Sequence, residues 1–231
     1  MIDIDVICHT RTSNIDVYNM TKICLMTLYD SEKDYNFKVY LYETDPDSQY
    51  DYSGLCHQYF RSNEPYNCCR LINQANLHIT NDWVLIINND LRFERGWFSK
   101  IIDVYNKRPD IEAFSPKDPV LYANHFDFHF VGTDEDYHES YKVTEFLSSW
   151  CYVMKKKVWD AVYPWDEEFK FFYADNDYAE KLKLHGIKHA LVRDSIVFHF
   201  GSQTIKKLDY KDGEEDKQRF INKWNICKLG K

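Results

Sequence analysis

The chain has 231 residues, of which 44% are hydrophobic, and its formal net charge is −8 at pH 7. That length allows one large domain or two small ones, with enough apolar residues to build a core without disulfides or structural metals. The acidic balance excludes a protein that coats duplex DNA along its length, because such proteins are usually basic. A local basic groove is compatible with it, since Lys155, Lys156 and Lys157 are consecutive, although a solvated helix start explains the same run.

The seven cysteines form no CxxC pair and have no zinc-like spacing, which excludes a disulfide framework and a zinc finger. Adjacent Cys68 and Cys69 cannot make an ordinary bridge to each other. Reduced thiols of this kind indicate a cytoplasmic protein. The first ten residues lack the basic and long apolar regions of a signal peptide, and no segment approaches the roughly 18 apolar residues that would indicate a membrane span.

The first half of the chain predicts alternating strands and helices. Residues 2–9 alternate apolar and polar side chains, which is typical of a strand, whereas residues 14–30 repeat apolar residues at helical spacing. By similar criteria the further strands cover residues 37–42, 83–87 and 111–114, and the further helices cover residues 66–79 and 96–106. This alternation indicates a largely parallel sheet with helices on both faces.

The second half is less regular. Residues 119–147 are rich in histidine and aromatic residues and show no clear period. Beyond them we predict strands over residues 150–154, 188–192 and 195–200, helices over residues 155–162, 175–186 and 213–228, and a polar stretch over residues 202–213. Gly186 is expected to end the second of these helices. Because no repeat, low-complexity tract or linker divides the sequence, one domain is the simpler interpretation.

A candidate metal ligand follows the most apolar strand. The run VLIINND at residues 84–90 is a short apolar segment bounded by polar residues, which indicates a buried strand. Such a strand would deliver Asp90 to the carboxyl edge of a parallel sheet, where open α/β sheets bind ligands. A carboxylate there can hold Mg²⁺ or Mn²⁺ against phosphate oxygens. Asn88, Asn89 and Asp90 are equally typical of a turn that ends a strand.

Two carboxylates flank the start of the helix predicted over residues 175–186. Asp177 is followed three residues later by Glu180, the spacing of a capping box in which Asp177 would be used structurally. Asp175 would then lie just before the helix, where it can face a cleft and take a proton from an attacking hydroxyl as general base. Alternatively, Asp175 is itself the helix cap.

A histidine ends the last apolar strand. His199 closes the run SIVFHF and is followed by Gly201, which permits a close backbone approach. Imidazole is a good ligand for ions such as Mn²⁺. An ordinary half-buried histidine explains a single such residue equally well.

These segments, in this order and spacing, resemble the family 2 glycosyltransferases and their close relatives over most of residues 2–204. The most specific part is the family's aromatic-D-E-x-F stretch, which leads into D-x-D and a helix closed by glycine. The residues at those positions are Trp165, Asp166, Glu167, Glu168 and Phe169, then Phe172, Tyr173, Ala174, Asp175, Asn176 and Asp177, and finally Lys181, Leu182 and Gly186. The family's strand ending in His-x-Gly-x-x-Thr follows at His199.

The resemblance extends towards the N-terminus. The family often has an asparagine, a small residue and an acidic residue before the metal-bearing strand, and Asn73, Ala75 and Asp82 have that spacing. Its first strand ends in a threonine-containing loop that touches the nucleotide, and its second strand ends in an acidic residue near the base. The residues in those places are His9, Thr10, Arg11 and Glu43. Residues 148–154 resemble the strand on the family's acceptor side.

The resemblance implies a single-domain glycosyltransferase-A fold of the α/β class. Its central sheet would be Rossmann-like, mostly parallel and flanked by helices, with a small antiparallel portion on the acceptor side. The catalytic domain would cover residues 1–204, with a nucleotide-sugar half over about residues 1–115 and an acceptor half over about residues 116–204. A polar segment and a helix over residues 205–231 would follow.

The resemblance also implies an activity, the transfer of a sugar with inversion from a nucleoside-diphosphate sugar, commonly UDP-linked, to an acceptor hydroxyl. Asp90 and His199 would contact Mn²⁺ or Mg²⁺, which neutralises the diphosphate leaving group. Asp175 would be the base, with Asp177 as the alternative. The nucleotide-sugar would contact Thr10, Arg11, Glu43, Asn73, Asn88 and Asn89. The acceptor side would carry Ser149, Trp150 and Asp177.

The sequence departs from the family at three places. The family's metal motif is often Asp-x-Asp, whereas Asn88, Asn89 and Asp90 provide one carboxylate and imply modest metal affinity. The glutamate before the base is Ala174, and the usual arginine of the following helix is Lys181. A non-catalytic nucleotide- or glycan-binding module of the same fold is therefore the alternative function. A nucleotidyltransferase would carry a glycine-rich loop after the first strand, and CHTRTSN contains no glycine.

The acceptor is left open by the sequence. A glycan, a lipid-linked sugar, a protein or a hydroxymethylated base of viral DNA would each supply the hydroxyl. A DNA acceptor requires a basic rim to contact the phosphates. The candidates for that rim are Lys155, Lys156, Lys157, Lys170, Lys206, Lys207 and Lys211.

Overall fold

The computed structural model describes residues 1–120, 130, 135–169, 172–201 and 213–226. The strands in these ranges are β1 (Ile2–Thr10), β2 (Tyr35–Glu43), β3 (Gln58–Arg61), β4 (Trp83–Asn88), β5 (Leu91–Phe93), β6 (Ile111–Lys117), β7 (Tyr137–Glu139), β8 (Cys151–Lys155) and β9 (Lys188–His199). The helices are α1 (Ile15–Ser31), α2 (Cys68–Gln74), α3 (Trp97–Lys107), α4 (Lys156–Val162), α5 (Ala174–Leu184) and α6 (Glu214–Trp224), with a 3₁₀ turn at Ala75–His78.

One sheet organises these elements, in the order β3-β2-β1-β4-β8-β6-β9-β5, with β7 beside β9. The first four strands in that order are parallel to one another. Strand β8 runs antiparallel between β4 and β6. Strands β6 and β9 are parallel, while β5 and β7 pair antiparallel with β9. The parallel half expected for nucleotide binding is therefore present, and the antiparallel pairs belong to the later strands.

Both faces of the sheet are covered, which explains the continuous apolar run of β4. Leu85 and Ile87 join the core beneath α1 and α3. Val84 and Ile86 point the other way, into the core beneath α2, α4 and α5. A strand buried on both faces has no need of polar alternation. Its carboxyl end lies beside that of β1, since His9 is opposite Asn88.

Most predicted elements are confirmed, and several boundaries change for identifiable reasons. The helix predicted over residues 66–79 begins only after Asn67, whose side chain accepts a hydrogen bond from the Arg70 backbone N–H, and its last turn is 3₁₀. The two strands predicted over residues 188–192 and 195–200 form the single strand β9. The strands β3, β5 and β7 were missed because each has only three or four residues, too few to show a period.

The capping box predicted at Asp177 is wrong. Helix α5 begins at Ala174, and its N-cap residue is Tyr173, whose φ of 62° lies in the left-handed region. The Asp177 backbone N–H donates to the Tyr173 carbonyl at 2.8 Å, so Asp177 lies inside the first turn. Asp175 also lies inside that turn and is not the cap. The predicted stop is confirmed, because Gly186 has a φ of 65° just after the helix.

No helix within the described ranges is both long enough and apolar enough to cross a membrane.

A buried histidine ties the segment before β8 to the sheet. His189 Nδ1 lies 2.6 Å from the Ser140 carbonyl oxygen, which only accepts, so Nδ1 carries the proton. Nε2 then accepts from the Ser115 hydroxyl at 3.0 Å, and Ser115 Oγ accepts from the Ser148 backbone N–H at 2.9 Å. Burial lowers the pKa of His189 to about 4, so the ring is neutral in this network.

We expect His189 to make the protein acid-sensitive between pH 6.5 and about 4. The unfolded chain binds a proton at this imidazole in that window and the folded protein does not, so stability falls as pH falls. The shift corresponds to about 3 kcal/mol at its full extent. Replacing His189 with Gln should flatten that part of the pH dependence of unfolding free energy, measured by denaturant titration. The matched control is His185→Gln, at an exposed site; an unchanged slope in His189→Gln would contradict the assignment.

Candidate active site

The turn from β4 into β5 brings the candidate metal ligands together. Asp90 follows β4 and is 4% exposed. Because β5 pairs antiparallel with β9, Leu91 lies opposite His199, and the Phe200 backbone N–H donates to the Asp90 carbonyl at 2.9 Å. The Asp90 Oδ1 and His199 Nε2 atoms are 3.3 Å apart. Two residues 109 positions apart in sequence thus meet at one edge of the sheet.

The polar atoms at this meeting point are close to each other but make no hydrogen bond within the described chain. Asp90 Oδ1 and both His199 ring nitrogens are buried and make no hydrogen bond to any described residue. Burying such groups without hydrogen bonds is costly. A metal ion bound between them would use the carboxylate oxygen and the ring nitrogen as ligands and so offset that cost. A carboxylate oxygen and an imidazole nitrogen suit Mn²⁺. No group of three or more potential metal-ligating side chains occurs in the ranges the structure describes, so a metal held here would draw further ligands from a bound molecule.

The His199 ring is held by an aromatic neighbour. The Trp150 side chain, 3% exposed, stacks on the imidazole with the ring centroids 5.4 Å apart and the planes 22° apart. The Trp150 carbonyl accepts from the Asn88 backbone N–H at 2.9 Å. Trp150, predicted on the acceptor side, therefore fixes the orientation of one candidate metal ligand and the end of the strand that carries the other.

Beneath Asp90, a buried polar network supports the loop after β1. The Asn89 side-chain amide donates to the hydroxyls of Thr10 at 3.0 Å and Thr21 at 2.9 Å. Thr10 Oγ is also 3.1 Å from the hydroxyl of Thr12, which contacts the Tyr52 hydroxyl at 2.8 Å. Asn89 and Thr10 were predicted to touch the nucleotide. Their side chains are directed into the interior here, where they join β1, β4 and α1.

Glu43 joins the loops after β1 and β2. Its side chain is fully buried, and Oε1 accepts from the backbone N–H groups of Thr12 at 3.0 Å and Asp45 at 2.8 Å. Its second oxygen, Oε2, makes no hydrogen bond to a described residue. Arg11 is half-buried on the first of these loops, and Asn88 is half-buried at the end of β4. The predicted nucleotide contacts Arg11, Glu43 and Asn88 therefore share the carboxyl edge of the parallel strands.

Asn73 connects α2 to the segment that precedes α5. Its amide donates to the Trp165 carbonyl at 2.8 Å and to Glu167 Oε1 at 3.0 Å, and its Oδ1 accepts from the Trp165 backbone N–H at 2.8 Å. Both polar atoms of the side chain are thus bonded to that segment.

Asp175 lies in the first turn of α5 beside an exposed serine. Its Oδ1 accepts from the Asn176 backbone N–H at 2.9 Å, and the nearby Ser149 side chain acts to lower the pKa of the carboxyl. Burial raises the pKa of Asp175, and these hydrogen bonds oppose the shift only in part. A carboxylate that is desolvated yet ionised is a stronger base than one in water.

The Asp177 carboxylate is bonded to side chains of α6 and faces a lysine of α5. It is 3% exposed, and its Oδ1 accepts from the Trp224 indole N–H at 2.9 Å and from Lys223 Nζ at 2.7 Å. Lys181 Nζ lies 3.6 Å from its other oxygen. Of the two carboxylates considered as the base, Asp175 is therefore the one next to an exposed hydroxyl, whereas Asp177 is tied to α6.

Consecutive residues link the two ends of the site. Ser149 contacts the candidate base Asp175, and Trp150 stacks on the candidate metal ligand His199. Adjacent Cα atoms are about 3.8 Å apart, so one short stretch of backbone couples the two positions. The preceding residue, Ser148, anchors this stretch to β6, because its backbone N–H donates to the Ser115 hydroxyl.

Sequence reasoning missed one member of the site and gave no role to another. His9 lies close enough to Asp90 for the carboxylate to raise its pKa, but burial dominates and lowers the pKa to about 4. The Tyr66 ring lies 5.6 Å from the His9 ring. The sequence places His9 only in the loop after β1 and Tyr66 at the start of the helix predicted over residues 66–79, whereas α2 begins at Cys68 and Tyr66 lies before it.

Among the described residues, the structure gives no support to the basic rim expected for a DNA acceptor. Lys155 is opposite Trp83, at the start of β4, whereas Asp90 follows the end of that strand, about 17 Å away. Lys156 pairs with Asp160 at 2.7 Å, and Lys157 pairs with Glu112. The rim candidates Lys170, Lys206, Lys207 and Lys211 lie outside the described residues.

No family model matches the sequence, and no curated protein matches it significantly. Solved structures do share its fold. GalNAc-T7 with UDP, GalNAc and Mn²⁺ aligns at a TM-score of 0.64 and 10% identity over 96% of this chain and 48% of that one. The mannosyltransferase PcManGT from Pyrobaculum calidifontis, in complex with GDP-Man and Mn²⁺, aligns at 0.60 and 15% identity over 87% and 57%. S. aureus TarS 1–349 aligns at 0.63 and 12% identity over 100% and 67%.

The chain therefore has the glycosyltransferase-A fold, as the sequence predicted. It covers between 48% and 67% of the lengths of these three structures. Sequence identities of 10% to 15% establish a shared fold but not a shared activity or substrate. Any activity has to be argued from the side chains at the site.

We expect Asp90→Asn to separate stability from metal binding. Removing a buried charge that lacks a hydrogen-bond partner should raise the melting temperature of the metal-free protein by about 2–4 °C, which corresponds to roughly 1 kcal/mol. The same variant should lose the rise in melting temperature that Mn²⁺ gives the unmodified protein. Asp30→Asn, at an exposed site on α1, is the control and should change neither. An Mn²⁺ response that survives in Asp90→Asn would contradict the metal assignment.

Proposed function

We propose that this protein is a metal-dependent glycosyltransferase that moves a sugar, with inversion, from a nucleoside-diphosphate sugar to an acceptor hydroxyl. The observation that carries the proposal is the buried, unpartnered pair of Asp90 and His199 at the carboxyl edge of the sheet. Two of the structures that share the fold were solved with Mn²⁺ together with UDP or GDP-Man. A metal contact of this kind is what a diphosphate leaving group requires.

The donor end of the site uses the loops after β1, β2 and β4. A Mn²⁺ or Mg²⁺ ion, held by Asp90 and His199, would neutralise charge on the diphosphate. Glu43 has one buried oxygen without a hydrogen-bond partner among the described residues, at the edge where the base of the nucleotide is expected. Arg11 supplies a half-buried cation on the neighbouring loop. We assign Thr10 and Asn89 to positioning these loops, because their polar side-chain atoms are bonded inside the protein.

The acceptor end of the site uses α5 and the segment before β8. Asp175 takes the proton from the acceptor hydroxyl as that oxygen forms its bond to the anomeric carbon and the diphosphate leaves from the opposite side. Burial raises the pKa of Asp175 and so favours proton uptake, while the backbone N–H of Asn176 and the Ser149 side chain oppose that rise in part. Base and metal then stabilise charge on opposite sides of one carbon, and the remaining rate enhancement comes from positioning.

We propose a glycan hydroxyl as the acceptor and UDP as the nucleotide of the donor. A hydroxymethylated DNA base is disfavoured because Lys155, Lys156 and Lys157 lie at the opposite edge of the sheet and pair with acidic residues. The proposal makes the enzyme a hexosyl- or pentosyltransferase, according to the sugar that the donor carries.

Asp175→Asn should lower transfer by about 10²- to 10⁴-fold and leave UDP binding intact, because it removes the base and not the donor site. Radiolabelled transfer and calorimetry with UDP measure the two effects. The wild-type rate should fall at acid pH as Asp175 takes up a proton, with a midpoint higher than that of an exposed aspartate. Ser149→Ala should move that midpoint to higher pH, since the Ser149 hydrogen bond stabilises the charged form. Full activity in Asp175→Asn would overturn the assignment of the base.

A thermal-shift panel identifies the donor. Nucleotide-sugars that bind the native state raise its melting temperature, and the proposal expects a UDP-sugar to do so only with Mn²⁺ present. GDP-, CMP- and dTDP-linked sugars are the comparison set. NMR of the product's anomeric proton then distinguishes inversion from retention. Binding of UDP with neither transfer nor hydrolysis of any donor would instead support a non-catalytic binding module.

A further inference from the structure

We infer that the C-terminal helix α6 is a clamp on the acceptor side, and that Asp177, Lys223 and Trp224 are positioning residues that hold the segment bearing the base. Here that acceptor-side segment means residues 164–169 and 172–177. The inference rests on the proposed function for its kinetic consequences, but its structural part stands on contacts within the described chain.

The centre of the clamp is one buried carboxylate. Asp177 accepts hydrogen bonds from Trp224 Nε1 and Lys223 Nζ, both on α6. Lys223 Nζ also reaches Asp166 Oδ2 at 2.7 Å, so one ammonium group joins both ends of the acceptor-side segment. Removing one partner of a buried ion pair leaves the other charge uncompensated, which makes this junction sensitive to single substitutions.

Further contacts place α6 over the stretch just before α5. Asp216, 3% exposed, accepts from the Phe172 backbone N–H at 3.0 Å. Phe220, 4% exposed, packs on the Tyr173 ring with centroids 5.4 Å apart. Arg219 pairs with Glu168. These contacts and those of Asp177 all reach the acceptor-side segment.

Tyr173 shows why such a clamp is needed. It is one of three non-glycine residues with positive φ in the described chain, and its φ of 62° places it in the left-handed region. That conformation costs about 1–2 kcal/mol for an ordinary residue and persists only where the surroundings enforce it. Tyr173 caps α5, two residues before Asp175. The Phe220 ring on Tyr173 and the Asp216 bond to Phe172 therefore act on the backbone that sets the direction of the base.

Lys181 completes the junction from inside α5. Its Nζ donates to the carbonyls of Val162 at 2.9 Å and Pro164 at 2.6 Å, while facing Asp177 at 3.6 Å. The Asp177 carboxylate is thus bonded to α6 on one side. On the other side it faces the Lys181 ammonium, which also donates to the end of α4. Because both oxygens of Asp177 face groups of α5 and α6, we expect its effect on transfer to pass through Asp175.

Three substitutions in the full-length protein test the clamp. Lys223→Met removes the ammonium and Asp177→Asn removes the charge. Trp224→Phe keeps an aromatic side chain and removes the indole N–H with its five-membered ring, so it leaves both charges of the junction in place. Lys217→Met is the matched control, because Lys217 lies on the same helix and pairs within it, to Glu214.

The first measurement is hydrogen exchange, which needs no substrate. We expect Lys223→Met and Asp177→Asn to raise exchange at the described amides of residues 166–169 and 172–177 by about tenfold or more, with a smaller rise in Trp224→Phe. Amides of residues 10–12, at the donor end, should be unchanged. Equal rises at both ends, or none at the acceptor-side segment, would overturn the clamp.

The second measurement separates positioning from general stability. With UDP-sugar and acceptor, the variants should raise the KM for the acceptor about tenfold while donor affinity stays within about twofold. A global loss of stability would change both together. If Asp177→Asn abolishes kcat without altering exchange or the acceptor KM, Asp177 belongs to the chemistry and the inference is wrong. If no donor is turned over by the wild type, the proposed function fails, and the exchange result still decides the clamp.

Discussion

The antiparallel pairing of β5 with the end of β9 is the interaction on which the site depends. It is short, with Leu91, Arg92 and Phe93 opposite His199, Phe198 and Val197. Because this pairing sets the register, Asp90 and His199 lie side by side at the carboxyl edge of the parallel strands. Their buried polar atoms then have no partner in the described chain. Burying such atoms without a hydrogen bond carries an energetic cost, which is a common property of functional sites.

The second constraint is the short segment that leads into β8. Ser148 is held through Ser115 by the neutral ring of His189, and the next two residues serve the two ends of the site. Ser149 lies near the candidate base Asp175, and Trp150 stacks on the candidate metal ligand His199. One short stretch of backbone therefore connects the two ends of the candidate site.

The sequence predicted the long elements and the residues at their ends because these follow local rules. The continuous apolar run of β4 identified Asp90, and the glycine stop at Gly186 fixed the end of α5. Strand order was beyond such rules: β6 was predicted within the parallel half, whereas β8 lies between it and β4. The pairing of distant segments also determines which polar side-chain atoms already make hydrogen bonds within the protein. Nothing local in the sequence shows that Asn73 is bonded to Trp165 or that Asp177 is bonded to Trp224.

The position of β8 also has a consequence for the order in which the chain folds. During synthesis, β4 emerges well before residues 151–155, which later occupy its open side. Until then the strand presents unpaired backbone N–H and C=O groups along an apolar edge, the kind of surface that pairs with other chains. Long-range pairing of this type also slows folding, because a large loop must close first. The nascent chain is therefore expected to be most exposed to aggregation until residues 151–155 have been added and paired with β4.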